Sequence, residues 1–408
     1  MKAYTPSALI LQRYADVLVK FALGGGKGIK RGDVVHLNAP EISKPLVYEL
    51  QKAVIRAGGH LILTYRPDND KKYNFDASFF EHAQDHHLDF LAEKYYRGLV
   101  DQVDHTLLIL GDTHPHALKG VDPKKIMRRG VAMKPYRDWR TYKEHRGKLH
   151  WTIALWGTGE MAQEAGLPLK EYWRQIIKAC FLDEKDPVKK WKRVYRDIAR
   201  YNRKLDALSP KIDRLHIKGP DEDLWILLGK KRRWLSGRGA NIPSFEIFTS
   251  PDWRGTEGWV RFNQPLYRYG SRVVGIELWF KEGRVVKSRA KIGGKLLKEM
   301  IRTPGADKVG EFSLTDKRFS RITKFMAETL FDENMGGPQG NTHIALGASY
   351  PDTYAGNVAK LTPTQKRTLG FNDSSVHTDL ISTARRRVTA HLNNGAKKVI
   401  YDNGKFTL

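Results

Sequence analysis

The apolar positions of the first 230 residues follow two alternating spacings. Short segments of strand length that are rich in apolar residues occur at residues 34–38, 60–65, 103–110 and 151–156. Between them, apolar residues recur every three to four positions at residues 6–23, 44–57 and 77–96. The second spacing is that of amphipathic helices. Strands separated by helices of this length predict a three-layer α/β arrangement around a mostly parallel sheet.

The pattern changes after a long basic helix that the sequence predicts over Pro187–Leu208. An apolar run at residues 223–228 starts a new sheet, and several short β-rich runs separated by turn residues follow across residues 241–290. Helical spacing returns at residues 295–301 and 319–329, with further strand-like runs towards the C-terminus. This mixture predicts an α+β arrangement for the last part of the chain.

The chain length of 408 residues exceeds what one ordinary hydrophobic core serves, so two domains are expected. We predict an N-terminal α/β domain at residues 1–235 and a C-terminal α+β domain at residues 236–408. The composition is that of an ordinary globular protein, with 40% hydrophobic and 28% charged residues.

Cysteine usage and hydropathy bear on the compartment. The single cysteine, Cys180, cannot form a disulfide within the chain, and it lies in an apolar helical stretch that predicts burial. No apolar run reaches the roughly 18 residues that suggest a membrane-spanning helix. We therefore expect a reduced, cytoplasmic protein without a membrane partner.

The net charge of +26 raises the possibility of nucleic-acid binding. The excess positive charge is shared between the first 240 residues and the rest nearly in proportion to their lengths. Local basic runs occur at residues 230–233 and 385–387, and solvated surface is the simpler interpretation of both. The sequence thus predicts only weak, non-specific adhesion to nucleic acid at low salt.

A set of acids, histidines and one tyrosine in the last 170 residues carries the candidate chemistry. Glu246 interrupts an apolar run, where an unpaired carboxylate is costly to bury. His377 and Asp379 are two positions apart, so on a strand both side chains face the same side. Carboxylates and imidazoles are suitable ligands for divalent cations, whereas a single cysteine is too few for a cysteine-based zinc site. The full candidate set is Glu246, Glu311, Glu333, His343, Tyr350, His377 and Asp379.

The segments that contain these residues form an ordered series. No single segment is specific, but the series as a whole resembles the leucyl aminopeptidase T and aminopeptidase S family of metallo-aminopeptidases, over essentially the whole chain. The segments that carry the resemblance are residues 241–251, 310–311, 329–334, 343–347, 348–351 and 372–379.

The resemblance implies a hydrolase that removes N-terminal residues from peptides with a water activated by two divalent metal ions per chain. Zinc, cobalt, manganese and magnesium all suit the ligands, and a homodimer is the usual assembly in this family. Glu311 is implied as the bridging carboxylate, Tyr350 as a partner of the oxyanion, and Glu246 or Glu333 as the proton shuttle. The implied metal ligands are Glu246, Glu311, Glu333, His343, His377 and Asp379.

Two departures from the family pattern leave alternatives open. Phe245 stands where relatives usually have glycine, and its ring is expected to narrow the substrate pocket. Residues 336–340 form an apparent insertion between Glu333 and His343, which either bulges outward or closes over the cleft as a gate. The alternative functions are a catalytically altered or non-catalytic member of the same fold that binds nucleic acid through its basic surface, and a different metal hydrolase or lyase.

Overall fold

The computed structural model describes residues 4–408, and its first sheet is parallel throughout. The strand order is β2-β1-β3-β4, which confirms the predicted α/β arrangement. The four strands are β1 (Val34–Pro40), β2 (His60–Arg66), β3 (His105–Leu110) and β4 (His150–Leu155).

Eleven helices accompany this sheet within the described part of the chain. The side chain of Ser7 accepts the N–H of Ile10 at the start of the first helix, which a π-helical turn at Leu18–Ala22 extends. The helices are α1 (Ala8–Val17), α2 (Leu23–Gly26), α3 (Lys44–Arg56), α4 (Phe75–His82), α5 (Asp85–Asp89), α6 (Glu93–Gln102), α7 (Pro123–Ala132), α8 (Lys134–His145), α9 (Gly159–Glu164), α10 (Leu169–Ala179) and α11 (Pro187–Leu208).

The helix predicted over residues 77–96 is divided into the three helices α4, α5 and α6. The backbone is extended at Ala83 and again at Phe90, with ψ of 128° and 127°. The N–H of Gln84, after the first break, donates to the Nδ1 atom of His87 instead of a helical carbonyl. Side chains that take over backbone hydrogen bonds locally end a helix even where the apolar spacing continues.

The remaining strands form an eight-stranded antiparallel sheet, a five-stranded antiparallel sheet and a small hairpin. They are β5 (Ile212–Gly219), β6 (Glu222–Leu227), β7 (Leu235–Ser236), β8 (Glu246–Thr249), β9 (Asp252–Phe262), β10 (Leu266–Arg268), β11 (Ser271–Val273), β12 (Ile276–Lys281), β13 (Arg284–Arg289), β14 (Val309–Thr315), β15 (Asn341–Gly347), β16 (His377–Ser382), β17 (Arg387–Leu392), β18 (Lys397–Asp402) and β19 (Lys405–Phe406). Three helices complete the chain: α12 (Gly294–Arg302), α13 (Thr329–Asp332) and α14 (Pro363–Thr368).

The order of the strands shows how the two parts of the chain interlock. The large sheet runs β13-β12-β9-β6-β5-β17-β18-β19, and the smaller one runs β16-β15-β14-β8-β7. Strands β5 and β6 precede residue 235 but pair with β17 and β9, which follow it. The division at residues 235 and 236 stays a prediction.

The predicted helix at residues 319–329 is wrong, since this segment is irregular. The carboxylate of Asp332 accepts the backbone N–H groups of Met326 and Glu328, and Gln175 accepts that of Thr323. Ala327 has a left-handed φ of 52°. Only the last turn, α13, becomes helical, and it leads directly into Glu333.

The hydrophobic core confirms the predicted burial of Cys180. Cys180 is fully buried at the end of α10, and burial raises the pKa of its thiol. It accordingly serves as a packing residue. Within residues 4–408, no helix combines the length and the hydropathy that crossing a bilayer requires.

Candidate metal centre

Four neighbouring strands of the five-stranded sheet present five of the six predicted ligands on one face. Because alternate residues of a strand face the same side, and residues opposite each other in an antiparallel pair share that side, the register determines the face. Thr315 pairs with Glu246, and Ser313 pairs with His343. The five ligands are Glu246 on β8, Glu311 on β14, His343 on β15, and His377 and Asp379 on β16.

A small residue keeps the middle of this face open. Ala345 of β15 lies opposite Glu311 on one side and opposite Asp379 on the other. Its side chain is a single methyl group and is fully buried. The two carboxylates therefore flank a position where any larger side chain would occupy the space between them.

The donor atoms of these ligands lie close together. The Nε2 atom of His343 is 3.3 Å from an oxygen of Glu246, 3.7 Å from one of Glu311 and 3.9 Å from one of Asp379. The Nε2 atom of His377 is 3.2 Å from Glu311 and 3.5 Å from Asp379. Two donors bound to one cation at about 2.0–2.2 Å lie at most about 4.4 Å apart, and all five distances fall inside that limit.

Glu333 reaches the same site from outside the sheet. It directly follows α13, and its Oε1 atom accepts the side-chain amide groups of Asn241 and Asn334, both at 3.3 Å. A carboxylate oxygen of Glu333 lies within 4.8 Å of donor atoms of His343 and Asp379. The structure thus brings Glu333 to the other five residues despite the insertion at residues 336–340.

The six residues form three overlapping groups of possible ligands. Glu311, His343 and Asp379 each belong to two groups; a carboxylate is able to bridge two cations, whereas the single lone pair of His343 Nε2 serves one cation. The groups are Glu246 with Glu311 and His343, Glu311 with His377 and Asp379, and Glu333 with His343 and Asp379.

Hydrogen bonds from outside the cluster orient two of the ligands. The Nδ1 atom of His377 is 2.8 Å from the carbonyl oxygen of Ala348. A carbonyl oxygen can only accept, so Nδ1–H donates, and Nε2, which faces the carboxylates, is the nitrogen left to bind a cation. The hydroxyl of Ser313 donates to Glu246 Oε2 at 2.9 Å and holds that carboxylate beside His343.

The concentration of buried acids raises the pKa values of both histidines. Burial alone would lower the pKa of His343, but the facing carboxylates, led by Glu311, raise it to about 9. Burial opposes ionisation of His377 in the same way, and Asp379 and Glu311 raise its pKa to about 10. Without metal ions, protonated imidazoles are the nearest positive charge available to these carboxylates.

Burial and neighbouring negative charges also raise the pKa values of two of the carboxylates. Burial, followed by the charge of Glu311, raises the pKa of Glu246 to about 7, although His343 opposes the shift. Burial and the charges of Asp379 and Glu246 raise the pKa of Glu333 well above its usual value. Asp379 is the exception, because the attraction of His377 outweighs burial and lowers its pKa.

Unpartnered atoms and donor chemistry show that the cluster fits metal ions. The Nδ1 atom of His343 and the Oδ1 atom of Asp379 are buried and have no hydrogen-bond partner among residues 4–408. Buried polar atoms rarely lack partners unless a water or an ion supplies them. Mixed imidazole and carboxylate donors are what zinc, cobalt and manganese take in proteins.

Tyr350 lies at the edge of the cluster, as its predicted role requires. Its ring centroid is 4.7 Å from that of His377 and 5.7 Å from that of Phe248. Its backbone N–H donates to the hydroxyl of Ser250 at 2.7 Å. Burial, reinforced by the charge of Glu311, raises the pKa of the phenol, so the group stays protonated at neutral pH and is able to donate a hydrogen bond.

The two departures from the family pattern have structural explanations. The expectation that Phe245 narrows the substrate pocket is wrong, because its fully buried ring stacks on Trp191 at 5.3 Å in the hydrophobic core. The inserted residues lie against the chain before α13: Gly336 N–H donates to the carbonyl of Ile322, and Lys317 donates to that of Pro338. These contacts favour an outward bulge over a gate.

Sequence reasoning missed several side chains that hold the ligands. Ser313 is two positions after Glu311 on the same strand face, and this spacing was a usable signal. Asn241 and Asn334 lie in segments that the resemblance already included, but the local sequence does not show which residue an asparagine side chain will bind. Arg268, which donates to the carbonyl of His377 at 3.2 Å, belongs to β10 and left no signal in the sequence.

Comparison with known proteins assigns the chain to a family. The family model described as thermophilic metalloprotease (M29) matches residues 8–406. Aminopeptidase PepS of Streptococcus thermophilus is 28% identical over 429 residues, covering 98% of each protein. Aminopeptidase T of Thermus thermophilus is 27% identical over 423 residues, covering 97% of this chain and 99% of that protein.

A solved structure agrees with the sequence comparisons. Wild-type AmpT from Thermus thermophilus matches with a TM-score of 0.80 at 25% identity, over 98% of this chain and 99% of that chain. The mixed α/β fold and the resemblance inferred from the ordered segments are therefore confirmed. A family of metalloproteases also implies that the chain uses divalent metal. The chain belongs to the M29 family of thermophilic metalloproteases.

Proposed function

We propose that this chain is an aminopeptidase that hydrolyses the N-terminal residue from peptides at a centre for two divalent cations. The observation that carries the proposal is the cluster of four carboxylates and two imidazoles in three overlapping groups, in which His377 and Asp379 are half-buried and the other four residues are buried. The names of the relatives, aminopeptidases from several bacteria, support the substrate class.

The charge of the cluster supports two cations rather than one. Glu246, Glu311, Glu333 and Asp379 carry four negative charges when ionised, and neutral histidines add none. Burying that charge without compensation costs a large amount of free energy. The raised pKa values of both histidines show how strongly the carboxylates attract a positive charge. Two divalent cations neutralise four carboxylates.

The ligands divide naturally between two positions. Glu311 lies between His343 and His377, at 3.7 and 3.2 Å, and we propose it as the carboxylate shared by both cations. Glu246 then belongs to the His343 side and Asp379 to the side of His377. Bound there, divalent cations would lower the pKa of a water nucleophile and polarise the scissile carbonyl.

Glu333 is the better candidate for the proton shuttle. Both oxygens of Glu246 accept hydroxyl hydrogen bonds, from Ser313 at 2.9 Å and Ser244 at 3.4 Å. The two amides that hold Glu333 both bind Oε1, which leaves Oε2 without a bond to the described residues. Its raised pKa suits a group that takes a proton from water and returns it to the leaving amine.

Tyr350 is proposed to stabilise the oxyanion of the tetrahedral intermediate. Its raised pKa keeps the phenol protonated, so the hydroxyl is able to donate a hydrogen bond to developing negative charge. The ring packs against that of His377 at an interplanar angle of 59°, which holds it beside the candidate ligands.

The setting of the enzyme is also part of the proposal. We propose a homodimer in the cytoplasm, supported by the family resemblance and by the single buried cysteine. The non-catalytic alternative is disfavoured because all six ligands converge in one cluster. A lyase or another hydrolase would use the same donors, so substrate tests must separate them.

Matched peptides test the exopeptidase assignment. A leucine-initiated tripeptide and its N-acetylated form should be incubated with metal-loaded protein, and the products identified by mass spectrometry. Release of free leucine from the unblocked peptide alone is the expected result. Cleavage of the acetylated peptide, or of internal bonds first, would contradict the proposal.

A further inference from the structure

Helix α11 presents an unusually uniform face to solvent. Its exposed side chains, apart from Ala207, are all lysine or arginine. They are Lys189, Lys192, Arg193, Arg196, Arg200, Arg203 and Lys204. The sequence showed a basic helix here, but only the structure shows that its cations are the exposed residues.

Helical geometry places these seven cations in one stripe. At about 100° per residue, their directions fall within an arc of about 120° around the helix axis. Lys189 and Lys204, the outermost two, are about 22 Å apart along the axis at about 1.5 Å per residue. The stripe is therefore straight, narrow and several turns long.

The charge of the stripe is not neutralised within the chain. None of the seven side chains takes part in an ion pair with any residue in 4–408, whereas half-buried Lys190 of the same helix pairs with Glu184 at 3.6 Å. The acid nearest the middle of the stripe, Asp197, is half-buried rather than exposed. Unneutralised like charges at three- and four-residue spacing destabilise a helix slightly, so the arrangement has no evident benefit for folding.

The opposite side of α11 packs in the hydrophobic core. Trp191, Val194, Ile198 and Leu205 are buried, and the indole N–H of Trp191 donates to the carbonyl of Cys180 at 3.0 Å. A helix that lies in a membrane surface inserts an apolar face between lipids. This helix has no apolar face left to insert, which disfavours a membrane as the partner.

We propose that the cationic stripe of α11 binds the phosphate backbone of a nucleic acid. A duplex carries one phosphate charge per about 1.7 Å of its axis with both strands counted, so about 22 Å of axis carries about 13 charges, and the seven cations would lie opposite those on the facing side. Four of the seven are arginines, whose planar guanidinium groups bind phosphate oxygens in pairs. The binding is independent of base sequence and independent of the proposed peptidase activity.

Salt-dependent binding tests the proposal. The probe is a short fluorescein-labelled DNA duplex, with fluorescence anisotropy measured between about 50 and 200 mM salt. The variant carries Arg193→Gln, Arg196→Gln, Arg200→Gln and Arg203→Gln. Its affinity should fall at least about tenfold at the lowest salt, and the slope of log affinity against log salt should decrease by about 3–4.

A second variant controls for net charge. Arg56→Gln, Lys94→Gln, Lys170→Gln and Lys298→Gln remove the same number of exposed cations from four other helices. Its affinity should stay within about threefold of the parent. Circular dichroism and the hydrolysis of a leucine amide check that both variants remain folded, since neither touches the metal centre.

Three outcomes would overturn the proposal. The first is an equal loss in both variants, which assigns the binding to overall charge. The second is no measurable binding of the parent protein at the lowest salt. The third is binding to phosphatidylserine vesicles that the α11 substitutions abolish while DNA binding persists, which assigns the stripe to a membrane surface.

Discussion

Glu311 and Asp379 lie opposite the same residue, Ala345, on the two sides of strand β15. Their carboxylates consequently border a space into which only the methyl group of Ala345 projects. Both face a histidine, His377, whose Nε2 atom is 3.2 Å from one and 3.5 Å from the other. The register of three strands thus determines the space in which a cation would bind.

Filling the space beside Ala345 should remove the metal without removing the fold. Ala345→Leu is expected to lower activity at least about a hundredfold, and overpacking should cost about 1–3 kcal/mol of stability. Ala345→Ser serves as the matched small substitution and should keep both metals. Metal content by mass spectrometry together with leucine amide hydrolysis measures the effect; a leucine variant with two bound metals would refute the assigned space.

Asp379 should be indispensable for metal binding as well as for turnover. Asp379→Ala removes a carboxylate that belongs to two of the three ligand groups, so less than two equivalents of metal should remain and activity should disappear. His377→Ala should behave in the same way. Asp373→Ala, which removes an exposed carboxylate six residues earlier, is the comparison that should change neither quantity. Full activity in the Asp379 variant would exclude that residue from the site.

Glu333→Gln should separate proton transfer from ligation. The amide keeps an oxygen for the side chains of Asn241 and Asn334 to bind, yet it cannot carry a proton from water to the leaving amine. We expect kcat to fall about 10²–10⁴-fold with KM and metal content little changed. Glu246→Gln should instead lower metal affinity. The reverse pattern would transfer the shuttle role to Glu246.

The metal-free protein should become less stable as pH rises from about 5 to 9. The folded pKa values of Glu246, His343 and His377, about 7, 9 and 10, lie above the ordinary values of 4.5 for glutamate and 6.5 for histidine. A group with a raised folded pKa stabilises fully below its unfolded pKa and loses that contribution as pH climbs through the folded value.

Thermal unfolding of chelator-treated and metal-loaded protein across this range tests the effect. Because cations replace the protons, the Tm difference between the two forms should widen with pH. Asp379, with its lowered pKa, contributes in the opposite direction but only at more acidic pH. If the Tm values of the two forms changed with pH in parallel, the raised pKa values of Glu246, His343 and His377 would be contradicted.

Gly340→Ala should reduce stability and leave substrate preference unchanged. A Cβ atom there would meet the hydroxyl of Tyr401 at 2.1 Å and the Cα atom of Gly404 at 2.7 Å, and Gly340 has a left-handed φ of 65°. The loop is fixed against the C-terminal strands, so we expect a loss of about 1–3 kcal/mol. Gly337→Ala, where a Cβ meets nothing within 4 Å, isolates the cost of the left-handed backbone alone. A change in the preferred peptide length would instead support the interpretation of residues 336–340 as a gate over the cleft.

Local patterns predicted part of the candidate site, whereas the family resemblance supplied Glu311, Glu333 and His343. His377 and Asp379 were expected on one strand face from their spacing of two, and β16 places them there. The predicted helix over Pro187–Leu208 has the same bounds in the structure. In both cases the decisive interactions lie within one element, where periodicity is informative.

The rest depends on contacts between distant parts of the chain. That Ala345 must be small follows only from its pairing with two different strands. The helical spacing of residues 319–329 is overridden by Asp332, whose carboxylate binds the backbone that a helix would use. The burial of Phe245 follows from its stacking on Trp191, 54 positions away by residue number. No local pattern carries such information.

Metal stoichiometry linked to turnover tests the central claim most directly. Chelator-stripped protein should be titrated with cobalt or zinc while hydrolysis of a leucine chromogenic amide is followed. Activity that returns and saturates near two metals per chain is the expected result. Saturation at one metal, or the absence of metal binding, would contradict a centre in which Glu311 joins two cations.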